Sequence, residues 1–182
     1  MLTLITPCYR QKNLSKMHGS IRFDLIDKWI IVYDTTYDRR YEKIYTDNPK
    51  ILEVECSGGI SGNPQRNYGL NLVEDGHIYF LDDDNIIHPN FWFVATRLAA
   101  DYFYTFDQLR DNKAEVLPGF NIAVDQIDTA MFIVHKNHVK NIQWCTDKYN
   151  ADGYFICDIN NQNKKAHIYI NIVACYYNYI IT

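Results

Sequence analysis

The chain has 182 residues, 47% hydrophobic and 22% charged, which suits one folded domain with enough length for a sizeable core. Its net charge is −4 and its only tight basic pairs are Arg39 with Arg40 and Lys164 with Lys165, so it carries no electrostatic footprint for nucleic acid or an anionic membrane. The five cysteines (Cys8, Cys56, Cys145, Cys157, Cys175) are odd in number and lack C-x-x-C spacing, which argues against a disulfide framework and a zinc knuckle and points to reduced, mostly buried thiols in a cytoplasmic protein.

In chain order, residues 2–6 read as a short apolar strand closed by Pro7. Leu14, Met17, Ile21 and Leu25 recur at helical spacing. Residues 29–33 read as a second buried strand, with Asp34 at its end. Residues 35–50 are polar and rich in tyrosine and read as a loop; residues 51–55 form a third strand. A flexible Gly-rich loop at 57–62 opens a helix, with Asn63 as N-cap and Pro64 as first helical residue. That helix is expected to run to about 75, where Gly76 stops it, and residues 77–81 form the fourth strand. Pro89 starts another helix. Residues 102–106 and 119–124 look extended, and 131–134 is an apolar strand followed by a polar helix or loop to about 148. A short helix opens at Asn150 and runs through Ile159, and residues 167–177 form the last strand. The chain stops within an apolar stretch, 169–181, which suits either a natural end or a piece of a longer protein; no signal peptide or apolar run of membrane-spanning length is evident.

Alternating strands and helices imply a parallel sheet covered on both faces, with a more mixed sheet in the strand-rich second half. In such sheets ligands bind beyond the carboxyl ends of the strands. Thr6 with Pro7, Asp34, the Gly-rich loop and Asp82-Asp83-Asp84 all follow expected strands, so they should gather along one edge. The three adjacent carboxylates are the sharpest signal. Each like-charge pair at roughly 4 Å costs about 1 kcal/mol in water and more where water is scarce, so the run asks for a counter-charge. A hard divalent cation, with oxygen ligands and room for substrate phosphates, is one answer; a solvated acidic turn is the other.

Gln65-Arg66-Asn67-Tyr68-Gly69-Leu70 followed by the apolar strand ending in Asp82-Asp83-Asp84-Asn85 resembles the heart of the glucuronyltransferase family of GT-A glycosyltransferases, which carries a Q-R-N-x-(A/G)-L helix and a D-D-D-N strand end. Thr6-Pro7-Cys8-Tyr9 is similar to that family's T-P-T-Y, and residues 29–34 resemble its second strand. The likeness covers residues 1–95 well and the rest loosely. It implies one GT-A-like α/β domain over 1–182, with a mixed, mainly parallel sheet flanked by helices, a nucleotide-sugar donor half at 1–95 and an acceptor half at 96–182. The family's usual membrane anchor has no counterpart here, and its acceptor-binding segments are not clearly reproduced.

The resemblance implies roles for single residues. Asp84 would ligate Mn²⁺ or Mg²⁺, which bridges the donor diphosphate. Asp83 would bind the ribose, directly or through the metal shell, and Asp82 would orient the site or contact the sugar, a strand-end cap being its alternative. Asp34 would meet the uracil edge, or merely form a turn before Thr35. Tyr9 would stack on the base, or lie on the surface. Arg66 sits in a helix's first turn, where the macrodipole disfavours a cation; a bound nucleotide or a carboxylate partner would relieve the conflict. Asp152 resembles the late acid that deprotonates the acceptor hydroxyl in inverting enzymes, with a plain helix-capping role as alternative and Asp158, Asp125 and Asp128 as rivals. His167 would join the metal or diphosphate, or be structural. The expected activity is transfer of a sugar from a nucleotide donor, expected to be UDP-linked, to a hydroxyl of a glycan or glycoconjugate. A metal-dependent nucleotide phosphohydrolase and a non-catalytic nucleotide-sugar or glycan-binding module are the competing readings.

Overall fold

The computed structural model describes residues 1–36, 40–110 and 115–180; Arg39 and the last residue of the 169–181 stretch lie outside the described residues. The strands are β1 (Leu2–Cys8), β2 (Lys28–Asp34), β3 (Ile51–Cys56), β4 (His77–Phe80), β5 (Ile86–Ile87), β6 (Phe103–Arg110), β7 (Glu115–Leu117), β8 (Phe132–His135) and β9 (His167–Tyr177). The helices are α1 (Leu14–Ser20), α2 (Asn63–Asn71), α3 (Phe91–Ala95) and α4 (Ala151–Gln162). The sheet runs β3-β2-β1-β4-β8-β6-β9-β5, with β7 paired to β6.

β3, β2, β1 and β4 are mutually parallel, as are β6 and β9. β8 lies antiparallel between β4 and β6. Two antiparallel steps restore direction, so β1, β2, β3, β4, β6 and β9 all end at the same edge.

Strand periodicity divides the core. Leu4, Ile31 and Tyr79 point to one face, where Leu14, Met17, Phe91 and Trp92 cover them. Ile5, Ile30, Val32 and Phe80 point to the other, under Leu70, Trp144, Phe155 and Ile156. Burial on both faces is why these strands read as continuous apolar runs.

Helix α2 lies close to the sheet because residue 69 has no side chain; a Cβ there would stand 2.6 Å from Ile5 Cγ2. Its start differs from expectation. Gly62, at φ 76°, is the N-cap, and Asn63 is already helical. A side chain at Gly62 would collide with Pro7, 2.7 Å away, so the glycine lets the loop close over the end of β1. α2 ends at Asn71 rather than near 75.

The stretch 119–124 is turn rather than strand, and Gly119 N donates to Asp107 Oδ1 at 2.8 Å. β6 extends four residues beyond the expected end at 106. Of the five cysteines, Cys8 and Cys175 are buried and the other three are partly exposed; all are free thiols. Among the described residues no helix is long and apolar enough to cross a membrane.

Candidate active site

A cleft of about 820 Å³ opens at the common edge of the parallel strands. Pro7, Cys8, Tyr9 and Arg10 follow β1, Asp34 ends β2, Asp82–84 follow β4, and Arg110 and Tyr177 end β6 and β9. Ser61, Gly62, Asn63 and Arg66 come from the loop and first turn of α2. Asp125, Ile127, Asp128, Thr129, Trp144, Tyr149, Asn150, Asp152 and Asn178 complete it. Seven aspartates and three arginines among the described residues line one space, so the site holds excess negative charge even before a ligand arrives.

The three carboxylates have different partners. Asp82 pairs with the buried Arg66 through a short Oδ1–Nη2 contact. Arg66 Nη1 donates to Ser61 O at 2.6 Å and Asn63 Oδ1 at 2.9 Å, and its guanidinium lies 4.7 Å from the Trp144 ring centre. A pocket carboxylate therefore offsets the unfavourable dipole at this helix start.

Asp83 is saturated. Its Oδ2 accepts from the backbone N–H groups of Tyr9 at 2.6 Å and Arg10 at 2.5 Å, and its Oδ1 from Arg10 Nε at 2.8 Å and Nη2 at 2.6 Å. Arg10 Nη2 also reaches Asp84 Oδ2 at 2.7 Å. Burial, then the Asp82 charge, pushes the Asp84 carboxyl up to about 6, against the pull of Arg10. Among the described residues, no group of three His, Cys, Asp or Glu side chains converges as a metal cage. For a divalent ion the fit is partial: Asp83 is fully engaged, and Asp84 could contribute oxygen to a shell otherwise made of substrate phosphates and water.

The opposite wall carries two further acids. Asp152 stands in the first turn of α4, with Oδ1 accepting from Gly153 N at 2.8 Å. Burial pushes it up to about 6, Arg66 pulls it down and Asp82 pushes it up. Asp128 caps the short 3-10 turn Thr129–Met131, accepting from Thr129 N at 2.6 Å. Burial, with the charges of Asp82 and Asp152, pushes Asp128 up to about 7. The Asp82 charge thus acts on Asp84, Asp128 and Asp152 alike, and the Asp152 charge acts on Asp128.

The cleft gathers Pro7, Tyr9, Asp34, Arg66, Asp82, Asp83, Asp84 and Asp152 from the residues expected in the sequence. Asp34 Oδ1 also accepts from Thr36 N at 2.9 Å and Gln65 Nε2 at 3.3 Å, so it shapes its own turn while facing the cleft. Two residues expected at the site are elsewhere. Thr6 is fully buried, and its Oγ1 accepts from Trp29 Nε1 at 2.9 Å; it lies within β1, covered on both faces, while Pro7, Cys8 and Tyr9 at the strand end line the cleft. His167 begins β9, whereas Tyr177, at the far end of that strand, lines the cleft. Ten steps along the strand separate them, roughly 30 Å. His167 stacks on Phe103 with centroids 5.1 Å apart, and its Nε2 lies 2.8 Å from Thr105 Oγ1. Of the rivals to Asp152, Asp158 is exposed and outside the cleft lining, and Asp125 is exposed at the rim, where it accepts from Asn150 Nδ2 at 2.9 Å.

Arg10 and Arg110 were not expected from the sequence. The strand-end rule itself could have found both. Arg10 follows β1 directly, and Arg110 ends a strand whose length was underestimated because Asp107 and Gln108, both buried, interrupt its apolar pattern. Arg110 Nη2 lies 3.8 Å from Asp128 Oδ2, and its guanidinium stands 5.3 Å from the Tyr177 ring centre.

No family model and no curated protein matches the sequence. Solved structures do. S. aureus TarS 1-349 aligns with TM-score 0.68 at 13% identity, over 96% of this chain and 59% of that one. Its complex with UDP-GlcNAc gives 0.68 at 13%, over 96% and 57%, and its complex with UDP gives 0.66 at 12%, over 96% and 59%. The chain thus spans less than three fifths of these TarS chains. At such identity the likeness carries the fold alone, a GT-A-like mixed α/β sheet flanked by helices, while the resemblance to glucuronyltransferases rests on the sequence motifs.

Proposed function

We propose that this chain is a glycosyltransferase that moves a sugar from a nucleotide donor, UDP-linked, to a hydroxyl of a glycan or glycoconjugate, with inversion. The observation that carries this reading is one cleft that sets Asp34, Arg66 and Asp82–84, at the ends of parallel strands, opposite two partly buried acids with raised pKa, Asp152 and Asp128. The TarS complexes with UDP and UDP-GlcNAc support the choice of donor. Residues 1–95 supply the donor side and 96–182 the acceptor side of one domain.

Asp152 is the proposed base. Raised to about 6, its carboxyl is mostly ionised at pH 7 yet more basic than an ordinary aspartate. It takes the proton of the acceptor hydroxyl as that oxygen bonds to the anomeric carbon. The carbon–oxygen bond to the diphosphate breaks on the opposite face, and its electron pair leaves with the diphosphate. Attack opposite the leaving group inverts the anomeric centre. Mn²⁺ or Mg²⁺ would be held by Asp84 and would neutralise the diphosphate; His167 has no part in holding it. Asp83 anchors the turn after β1, and Asp82 keeps Arg66 in place.

The test is a thermal-shift screen of UDP, UDP-sugars and Mn²⁺, since a ligand of the folded state raises Tm. Stabilisation by UDP, greater with Mn²⁺ than with chelator, is expected, followed by product analysis with glycan acceptors. Release of inorganic phosphate from a nucleotide without acceptor would favour a phosphohydrolase. Donor binding without turnover over any acceptor would favour a binding module.

A further inference from the structure

We propose that Arg10 is a protein-borne cation for the donor diphosphate, fixed in place by Asp83 so that phosphate recognition does not depend wholly on a metal ion. The proposal rests on the nucleotide-sugar reading of the cleft.

A diphosphate entering this cleft meets mostly carboxylates, so its position should be set by the available guanidinium groups. Among the described residues, Arg10, Arg66 and Arg110 line the cleft. Arg66 is committed: its side chain is 5% exposed, and its two terminal nitrogens serve Ser61 O, Asn63 Oδ1 and Asp82. Arg110 stands on the other wall, against Asp128 and Tyr177. Arg10 follows the same strand end as Pro7 and Tyr9, beside the β2 end that carries Asp34.

Its geometry suits an anion. The Arg10 side chain is 41% exposed, whereas the Asp83 carboxylate that holds it is 3% exposed. Nε and Nη2 are used on Asp83 and Asp84. Among the described residues, Nη1, with two N–H donors, has no hydrogen-bond partner. Two backbone N–H groups and the guanidinium of Arg10 all converge on Asp83, so the carboxylate and the turn fix the guanidinium together. A pre-positioned guanidinium loses little freedom when a phosphate docks, and its planar fork matches phosphate oxygens. Asp83 in this arrangement works as the support of a cation rather than as a direct ligand of the donor.

The experiment is calorimetry of the full chain with UDP and with uridine, in EDTA and again with Mn²⁺. Wild type should bind UDP more tightly than uridine even in EDTA. Arg10→Gln should weaken UDP in EDTA by about 10- to 100-fold, the range of a hydrogen bond to a charged group, and leave uridine unchanged. Uridine separates lost phosphate recognition from a damaged site. Because Arg10→Gln leaves Asp83 buried without its cation, Arg10→Lys provides a second variant; it keeps the charge but not the fork and should lose several-fold for UDP alone. Melting curves show which variants are folded. Equal UDP affinity in wild type and folded Arg10 variants overturns the proposal while leaving the nucleotide reading intact. Loss of UDP affinity in Arg110→Gln and not in Arg10→Gln overturns it by placing the diphosphate on the opposite wall. Wild type that binds neither UDP nor uridine, with or without Mn²⁺, overturns the nucleotide reading and this proposal with it.

Discussion

One wall of the cleft grows out of four parallel strands, and each strand end delivers a residue or loop to it: the Gly-rich loop after β3, Asp34 after β2, Pro7 to Arg10 after β1, and the three carboxylates after β4. The facing wall takes its two partly buried acids from a 3-10 cap, Asp128, and a helix start, Asp152. On the first wall each acid of the triple run has an arginine partner, at 2.7 Å or closer. On the second, among the described residues, the ion pair is Arg110 at 3.8 Å from Asp128. The consequence is chemical. Asp82 and Asp83 serve as supports that hold arginines in place, whereas Asp128 and Asp152, pushed up by burial with little compensation, can exchange a proton, and Asp84 is pushed up by burial too despite its contact with Arg10.

The largest expected effect tests that division. Asp152→Asn should keep donor affinity nearly intact and cut sugar transfer by roughly 10²- to 10⁴-fold, the usual worth of a positioned base. Asp128→Asn should cut it less. The opposite ranking would move the base to Asp128, and no effect from either would undo the inverting single-base mechanism. The pH profile of transfer checks that a raised carboxyl is the base, because a base acts when ionised. The rate should rise with a midpoint near 6 to 7, well above an ordinary aspartate, and the two variants decide which residue it is. Stability moves the other way. These carboxyls bind protons more tightly folded than unfolded, so Tm of the unliganded chain should fall as pH climbs from about 4 to about 7. Asp128→Asn should flatten that fall.

The same contrast governs what could be read in the sequence. A parallel strand announces its ligand-bearing end, since an apolar run stops and a polar residue follows; Asp34, Pro7 and Asp82–84 were found this way, and the last strand was read with its observed bounds, His167–Tyr177. The rule fails where burial is polar. Asp107, accepting from Gly119 N and from Tyr169 OH at 2.8 Å, lies inside β6 and made that strand look as if it had ended. Arg110 was lost with it. Thr6 lies one residue short of the stretch that reaches the cleft: it is fully buried inside β1, whereas Pro7, Cys8 and Tyr9 line the opening. Asp128 was legible only as one rival among several, because nothing local distinguishes an acid that caps an exposed turn from one that caps a turn folded over a cleft.

A middle-sized effect probes the supporting arginine of the first wall. Arg66→Ala removes a buried cation from Asp82 and opens space beside Trp144. Breaking a buried pair from one side costs about 3–5 kcal/mol, and the Asp82 side chain, 24% exposed, can recover some hydration, so about 3 kcal/mol is expected. The unliganded chain should therefore melt several degrees lower by calorimetry. An unchanged Tm with lost UDP affinity would make Arg66 a ligand-binding group first and a support second, and would erase the contrast between its wall and the other.

The smallest effect concerns the edge of the sheet away from the cleft. His167 was expected to touch the metal or diphosphate, yet the residues around it, Thr105 and Phe103, belong to the start of β6, the end of that strand remote from Arg110. Parallel pairing of β6 and β9 explains why: Phe103 is in register with His167 and Arg110 with Tyr177, so whatever begins β9 is carried to the edge opposite the cleft. Burial pushes its pKa down, so at neutral pH it is a neutral ring sharing a hydrogen bond, not a cation seeking a phosphate. His167→Ala should cost about 1 kcal/mol through the lost hydrogen bond, with a further fraction from the lost ring stacking. Chemical denaturation would register that loss as a lower midpoint at unchanged m-value. Mn²⁺ and UDP affinities, measured by calorimetry on the same variant, should equal those of the wild type. A variant as stable as wild type that binds Mn²⁺ more weakly in the presence of UDP would return His167 to the site, and would require that β9 pair with β6 in another register.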